Sequence, residues 1–588
     1  MIESMQVQDK KFYYNSLFND YIFSYKKLKK YFHYDFHDPG SFKKRAEYVT
    51  ATYNDSLRAR ISDRLVHINK SFGCSATAIK NCESLKDPDT MVVIGGQQPG
   101  LLTGPAFIIY KIFSIIKLAE YLSDFLNLKV IPVFWNASDD SNFSQVNNTF
   151  LLDRELKKVV LNLADINRES GLLKEGLGSK RFSDIFITEG ISVEKIDEFL
   201  GFLPETDFKD SIKVFFVDCL ERLSKGGFNR SNPKCIDHPK AGFPAGPASL
   251  HGSGHKNSFR LNDFFSAIIT GLFSKYGLVL IDPSDIELKK LSLPILEKDI
   301  INHASIEKSI NKAGEKLVKE GYHSQLSADA DFLNFSIVKD GVRQRVKCGK
   351  NSFFTVDKKG LSAEDLKSLI ASDFSKISLN VISRPLFQDM ALPVLATVCG
   401  PGEVSYFSQL KEVYDIFGLK QPVIYPRFSA TIVESKVRKA IEKAGLGIKL
   451  LNHEIKDAAG AALKSNLGID IDGIFKSLEI DIMDKTGKVE SLIESGGINC
   501  SGCFGRFEDN MKREIKTLNK IIMSEVENKN LIIVSNIDKI YLNLFPNGLL
   551  QERVINIFQY INKYDFKLLD DLYGIIDVEN RFHKLIFL

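Results

Sequence analysis

Two clusters of residues in this chain have the types and spacing to do chemistry on a small charged molecule. The first is GGQQPGLLTGP, with Gly96, Gln97, Gln98, Gly100, Thr103 and Gly104, followed by the run VIPVFWNASDD, with Trp135, Asp139 and Asp140. Glycines let a backbone approach a ligand closely, and free N–H groups ahead of a helix favour an anion. Gln97 and Gln98 add two side-chain amides to the same loop. The spacing is neither G-x-G-x-x-G nor G-x-x-x-x-G-K-[ST], so neither an ordinary dinucleotide site nor a P-loop is expected. The second cluster runs from 384 to 427, with Arg384, Gln388, Asp389, Gly400, Gly402, Glu403, Tyr406 and Arg427. Glu403 stands at a helix start, where compensating the helix dipole, worth about 0.3–1 kcal/mol, is its other role. Arg384, Asp389 and Arg427 suit ligand binding and a structural ion network equally well.

The elements that must position these residues share one local logic. Met91 to Ile94 is a short β-branched apolar run, which predicts a strand buried on both faces. Glycines then break it. Thr103 is the expected N-cap, with Pro105 in the first turn, of a helix whose wide apolar face runs from Phe107 to Leu118. Val130 to Trp135 is the next strand, which completes a βαβ unit with polar residues at the carboxyl ends of its strands, where open α/β sheets bind ligands. Pro393 to Cys399, the Gly400-Pro401-Gly402 loop, a helix from Glu403 to Phe417 and a strand from Gln421 to Tyr425 repeat the pattern. If both loops reach one edge of one sheet, they flank a shared pocket.

The rest of the chain organises around these units. Residues 1–90 read as a helical segment packing on the core, with an aromatic cluster at Tyr31, Phe32, Tyr34 and Phe36 expected to be core. Residues 91–150 hold the first half of a Rossmann-like core and 151–260 an insertion. Within that insertion, His251 and His255 lie four apart in a Gly/Pro/Ser-rich loop, which suits a substrate-covering loop better than a metal pair. Residues 261–430 hold the second half of the core, with Gly277 to Ile281 a strand ending in Asp282. A β-hairpin falls near 330–360, around Lys339-Asp340-Gly341. From 431 to 545, Val433, Val437, Ala440 and Ala444, then Met511 to Val526 and Ile533 to Leu544, step by three and four, as in the seam of a helical coiled-coil arm. Residues 546–588 return toward the core. Cys500-Ser-Gly-Cys503 is a lone CxxC and a weak metal signal, so no metal is predicted.

The composition excludes several classes of function. Of 588 residues, 78 are basic and 74 acidic, a net charge of +4 that gives no reason to expect nucleic-acid binding. A hydrophobic fraction of 44% supports a full core, and eight scattered cysteines read as reduced thiols in a cytoplasm. The N-terminus lacks a secretory h-region, and the most apolar stretch, interrupted by Lys111, Lys117 and Glu120, is too short to span a bilayer. The expectation is a cytoplasmic protein with no membrane partner.

Four motifs together resemble one family, that of the bacillithiol-biosynthesis cysteine-adding enzymes, BshC. They are GGQQPGLLTGP at 95–105, VFWNASDD at 133–140, RPLFQDMALPVLATVCGPGEVSYFSQL at 384–410 and LFPNGLLQERVINIFQYINKY at 544–564. The resemblance implies an α/β fold: a Rossmann-like parallel-sheet core related to class I aminoacyl-tRNA synthetases, with connecting insertions and a C-terminal α-helical coiled-coil arm that makes a homodimer. It also implies a ligase that joins cysteine to glucosaminyl-malate through an amide. ATP is the candidate source of activation, because amide formation from a free carboxylate is uphill. On that reading the glycine loop holds phosphate or carboxylate oxygens, and Asp139 or Asp140 holds an ammonium and deprotonates it. Arg384 or Arg427 pairs with malate carboxylates, and Glu403 and Tyr406 line the opposite wall. The chain departs from the family twice. Where the family reads E-D-H-D, this chain has Asp139, Asp140, Ser141 and Asn142, and Cys399 replaces a glycine. Another ATP-dependent amide ligase or nucleotidyltransferase, and a degenerate dimeric member without activity, are the alternatives.

Overall fold

The computed structural model describes residues 3–7, 15–153, 155–161, 181–224, 258–339, 342–349, 354–356, 359–444, 470–498, 501–529 and 531–588. The His251/His255 loop, the Asp340-Gly341 turn and Cys500 lie outside the described residues. The chain divides into two compact units, residues 13–430 with 552–583, and residues 1–12 with 431–551 and 584–588.

The first unit is built on five parallel strands: β1 (Met91–Gln97), β2 (Val130–Asn136), β3 (Val279–Ile281), β4 (Val394–Cys399) and β5 (Val423–Pro426). Their order across the sheet is β5-β4-β1-β2-β3. All five are buried on both faces almost throughout, as their continuous apolar runs require. The direction of the chain across the sheet reverses between β1 and β4. Right-handed crossovers leaving those two strands run outward in opposite directions, so a crevice opens between their carboxyl ends. This is an α/β, Rossmann-like core.

The first glycines do not end β1. The strand runs through Gly95 and Gly96 to Gln97, each paired with β2. A Cβ on Gly95 would lie 2.7 Å from the Ile115 Cδ1 and 3.1 Å from the Val398 carbonyl, so glycine lets β4 and the helix α1 (Phe107–Leu126) close on the strand. Thr103 does not cap α1, contrary to expectation. It ends a single 3₁₀ turn, Leu101–Thr103, and Leu102, Thr103 and Gly104 all have positive φ, at 48°, 76° and 66°. Each such non-glycine residue costs about 1–3 kcal/mol. The turn is held in place by Asn556, whose Nδ2 donates to the Leu102 carbonyl at 2.6 Å.

Further segments of this unit brace the sheet. Helices Ser16–Phe23, Pro39–Thr52, Ser56–Ser71 and Ala76–Ser84 make the N-terminal region, and Tyr31, Phe32, Tyr34 and Phe36 are buried in it, as core. The expected hairpin is part of a larger five-stranded antiparallel sheet, in which Phe332–Lys339 pairs with Val342–Cys348 and with Ile377–Leu379. The helix α2 (Ser383–Ala391) leads into β4 and α3 (Pro401–Phe407) follows it. The single helix expected from Glu403 to Phe417 is two, α3 and Lys411–Ile416. In the break between them, the Gln409 side chain bonds main-chain groups of Gln325, Leu326 and Ile310 and the Ser324 hydroxyl.

The second unit has a three-stranded sheet of Glu3–Val7, His583–Phe587 and Ala430–Val433. Val433 therefore belongs to a strand rather than to the helical stripe, which begins with Ser435–Lys443. Helix Leu531–Leu544 buries Ile537, Ile540 and Leu544 on Val437, Ala440 and Ile441. Helices Ile471–Ser495 and Ser501–Lys529 pack Ile471 and Phe475 against Ile515. The start of one helix thus meets the later part of the next, in an antiparallel hairpin.

The tightest point in the glycine loop is the contact of Gly100 with Gly104. A Cβ on Gly100 would fall 2.9 Å from the Gly104 Cα, and both atoms are backbone. Gly100→Ala is expected to lower stability by about 1–3 kcal/mol, the scale of overpacking. Chemical denaturation of the purified variant against the parent chain measures it.

Candidate active site at the crossing of two glycine turns

The carboxyl ends of β1 and β4 do meet. Gly96, Gln97 and Gln98 from the first turn and Gly400, Gly402 and Glu403 from the second line one cavity of about 270 Å³. Its remaining charged lining is Lys111 of α1, Asp140 after β2, Arg384 of α2, Arg427 after β5 and Arg553. Gln388 and Tyr406 complete the wall. Four cations therefore face two carboxylates, which suits an acidic ligand.

Several of these charges have specific partners. Lys111, 1% exposed, donates from Nζ to the Gly96 carbonyl at 2.5 Å and to Glu403 Oε2 at 2.5 Å. The same carboxylate accepts the Gly400 N–H at 2.7 Å. One buried ammonium thus ties the β1 turn to the β4 turn. Arg427 makes a two-pronged pair with Glu552, at 3.1 and 2.6 Å, and also donates to the Phe428 carbonyl. Burial by itself would raise the Glu552 carboxyl, but the Arg427 guanidinium holds it below its ordinary value. Arg384 lies beside the Tyr406 hydroxyl and the charges of Asp140 and Glu403. Asp140 accepts from Gln98 Nε2 at 2.5 Å and from the Ser141 N–H at 2.7 Å.

A second cavity, also about 270 Å³, shares Ala137, Asp140 and Arg384 with the first. Trp135, Asp139, Arg343 and Asn380 line it. Here Asp139 is neutralised, with Lys289 Nζ at 2.8 Å and Arg181 at 3.7 Å. Burial lowers the Lys289 ammonium from its usual value, and Asp139 counteracts that.

The residues singled out in the sequence thus divide. Gly96, Gln97, Gln98, Asp140, Arg384, Gln388, Gly400, Gly402, Glu403, Tyr406 and Arg427 come together at the crossing. Trp135 and Asp139 face the adjoining cavity. Gly100, Thr103 and Gly104 line neither and shape the turn behind the crossing. Asp389 is turned away, because it follows Gln388 by about 100° around α2. It accepts from the Tyr414 hydroxyl at 2.6 Å and lies 4.0 Å from Arg45, so the proposed network of Arg384, Asp389 and Arg427 does not form. Lys111, Arg343 and Arg553 were missed. Lys111 had a legible signal, a lone lysine on a wide apolar helix face, which must find a partner when buried. The other two carried none.

Residues 1–224 and 248–428 match the Rossmann-like N-terminal domain of bacillithiol biosynthesis BshC, and residues 430–588 match the BshC C-terminal coiled-coil domain. The chain belongs to the BshC family. Among its relatives is the "Putative cysteine ligase BshC" of Salinibacter ruber, 28% identical over 547 residues, which cover 92% of this chain and 91% of the relative. The protein of the same name from Desulforamulus reducens is 27% identical over 582 residues, 98% of each chain. That from Geobacillus thermodenitrificans is 26% identical over 575 residues, 97% of each.

The family's core is therefore laid on this chain with its departures in known places. Ser141 lies against Arg343, with Oγ 3.3 Å from the guanidinium, while Asn142 is exposed and accepts from Ser144. Cys399 is fully buried at the end of β4, and burial pushes its thiol well above the usual value.

Asp389 gives a test of the assignment away from the crossing. Burial raises its carboxyl to about 7, against the opposing pull of Arg45 and Tyr414, from an ordinary value of 3.8. The folded chain then holds a proton that the unfolded chain releases, so this residue's contribution to stability falls as pH rises from about 4 to about 7. Asp389→Asn is expected to remove that slope, read from denaturation midpoints across this range.

Proposed function

We propose that this chain is a cytoplasmic ligase that joins L-cysteine to glucosaminyl-malate through an amide bond, the last step in making bacillithiol, and works as a homodimer. Family membership and the relatives' name support a cysteine ligase. The observation that carries the reading is the cavity at the crossing, where cations outnumber carboxylates and one carboxylate, Asp140, stands at the junction with a second cavity.

ATP would supply the activation that a free carboxylate needs. The cavity fits it in kind: backbone of two glycine turns, with Lys111 and Arg384 as the cations beside them. Lys111 holds the two turns at a fixed separation through Gly96 and Glu403. Asp140, which lines both cavities, would hold the amino-sugar ammonium and take its proton. The amine nitrogen then bonds to the activated carbonyl carbon as the phosphoryl oxygen leaves. Arg427 is committed to Glu552, which leaves Arg384 and Arg553 as the guanidiniums for substrate anions.

A member without activity is the second reading, and Ser141 in place of the family's histidine favours it. Purified protein given cysteine, glucosaminyl-malate and ATP is expected to form bacillithiol by mass spectrometry, with release of AMP or ADP. Asp140→Asn should cut kcat by about 10²–10⁴-fold, the scale of a lost proton acceptor. Nucleotide release with another amine, and none with glucosaminyl-malate, would move the substrate elsewhere. Thiol formation only after Ser141→His with Asn142→Asp would establish the inactive reading.

A further inference from the structure

The two cavities meet at one wall, and that wall carries one charge of each sign. Ala137, Asp140 and Arg384 line both spaces. Asp140 is fixed by two donors, Gln98 Nε2 at 2.5 Å and the Ser141 N–H at 2.7 Å. Arg384 is fixed by the first turn of α2, where the Ser383 hydroxyl donates to the Asn334 carbonyl at 2.6 Å and the Arg384 N–H to the Asn380 carbonyl at 3.0 Å. Gln388, one turn further along α2, lines the first cavity from the same face. The two charges do not close on each other. Among the described residues Asp140 has its ion pair with Arg343, at 3.9 Å, and Arg384 has none, whereas Lys111 and Arg427 are paired with Glu403 and Glu552. Arg384 is only partly buried, so a ligand can reach it. Its partial removal from water would lower the guanidinium, but Tyr406, Asp140 and Glu403 hold it above its ordinary value.

Amide formation needs a charge of each sign at one point. As the amine lone pair bonds to the activated carbonyl carbon, the C=O π pair moves onto oxygen and the nitrogen sheds a proton. The pair then returns, and the phosphoryl oxygen leaves with the electrons of its bond to carbon. A carboxylate serves the nitrogen, and a fixed cation serves the oxygen. We infer that Arg384 is a catalytic residue whose guanidinium faces the carbonyl oxygen during attack, while Asp140 takes the proton of the amine, so that the new bond forms at the wall shared by the two cavities. The inference rests on the ligase reading for its reaction. It gives Arg384, beyond holding a substrate anion, a charge to stabilise that exists only in the transition state. Arg553 is the contrasting case. It is exposed, lines the first cavity alone and lies over the Phe107 ring at 5.8 Å, so it meets an anionic group of a substrate away from the reacting carbon.

Steady-state kinetics of the full-length chain with cysteine, ATP and glucosaminyl-malate separate the two roles. Arg384→Gln is expected to lower kcat by about 10²–10³-fold, the scale of one lost oxyanion donor, with KM values moving far less. Arg384→Lys, which keeps the charge, should recover part of that loss. Guanidinium chloride added to Arg384→Ala should restore turnover in a saturable way, which a merely structural lesion would not allow. Arg553→Gln should act on KM instead, raising it about tenfold for the substrate whose anion it meets, ATP for a phosphate or glucosaminyl-malate for a carboxylate. In an active parent, an unaltered kcat in Arg384→Gln, or a loss that neither lysine nor guanidinium relieves, would overturn the inference. A parent that forms its amide with another amine, and loses that turnover in Arg384→Gln, would sustain the inference and change the substrate. A parent with no amide product from any amine would remove the ligase reading, and the inference with it.

Discussion

A single buried ammonium holds the candidate site together. Lys111 sits at the base of the crevice and is shared between a carbonyl of the first turn and the carboxylate that caps the second. Taking an ammonium out of water costs several kcal/mol, and only close, complete pairing returns it. The pairing here spans two strands that are neighbours in the sheet but distant in the chain. That lysine adds a direct tie between two turns whose strands are already paired in the sheet. Beside it, Arg427 is already occupied by Glu552, whereas Arg384 makes no such two-pronged pair.

Much of this was legible in the residues. Continuous β-branched runs gave the parallel strands, and the two glycine turns gave the rim at which they end. The family motifs placed both turns on one sheet, and the cavity contains eleven of the residues named from sequence. What could not be read has physical causes. Gly95 and Gly96 looked like strand breakers, yet they admit a neighbouring helix and strand at close range. Thr103 looked like a cap, yet it lies in a turn of positive φ, next to the close approach of Gly100 and Gly104. Asp389 is one residue from a lining position and points the other way, a difference of a single helical step. Arg343 reaches the site from another sheet, and no local pattern announces a contact made across 200 residues of sequence.

Charge management separates the two cavities more than shape does. In the first, Lys111 is paired with Glu403 and Arg427 with Glu552, and Arg384 and Arg553 line the cavity beside them. In the second, the buried carboxylate of Asp139 is matched twice over.

The closure of Arg427 on Glu552 also bears on how the chain is made. These partners are separated by 125 positions, and nearly all of the intervening residues belong to the other compact unit. During synthesis the Rossmann-like sheet emerges long before the segment that completes it. Until residues 552–583 leave the ribosome, Arg427 is without its partner carboxylate and the Leu102 turn without Asn556. The Rossmann-like unit is therefore discontinuous in the chain, and its contacts to Arg427 and Leu102 form only once its own C-terminal segment has been made.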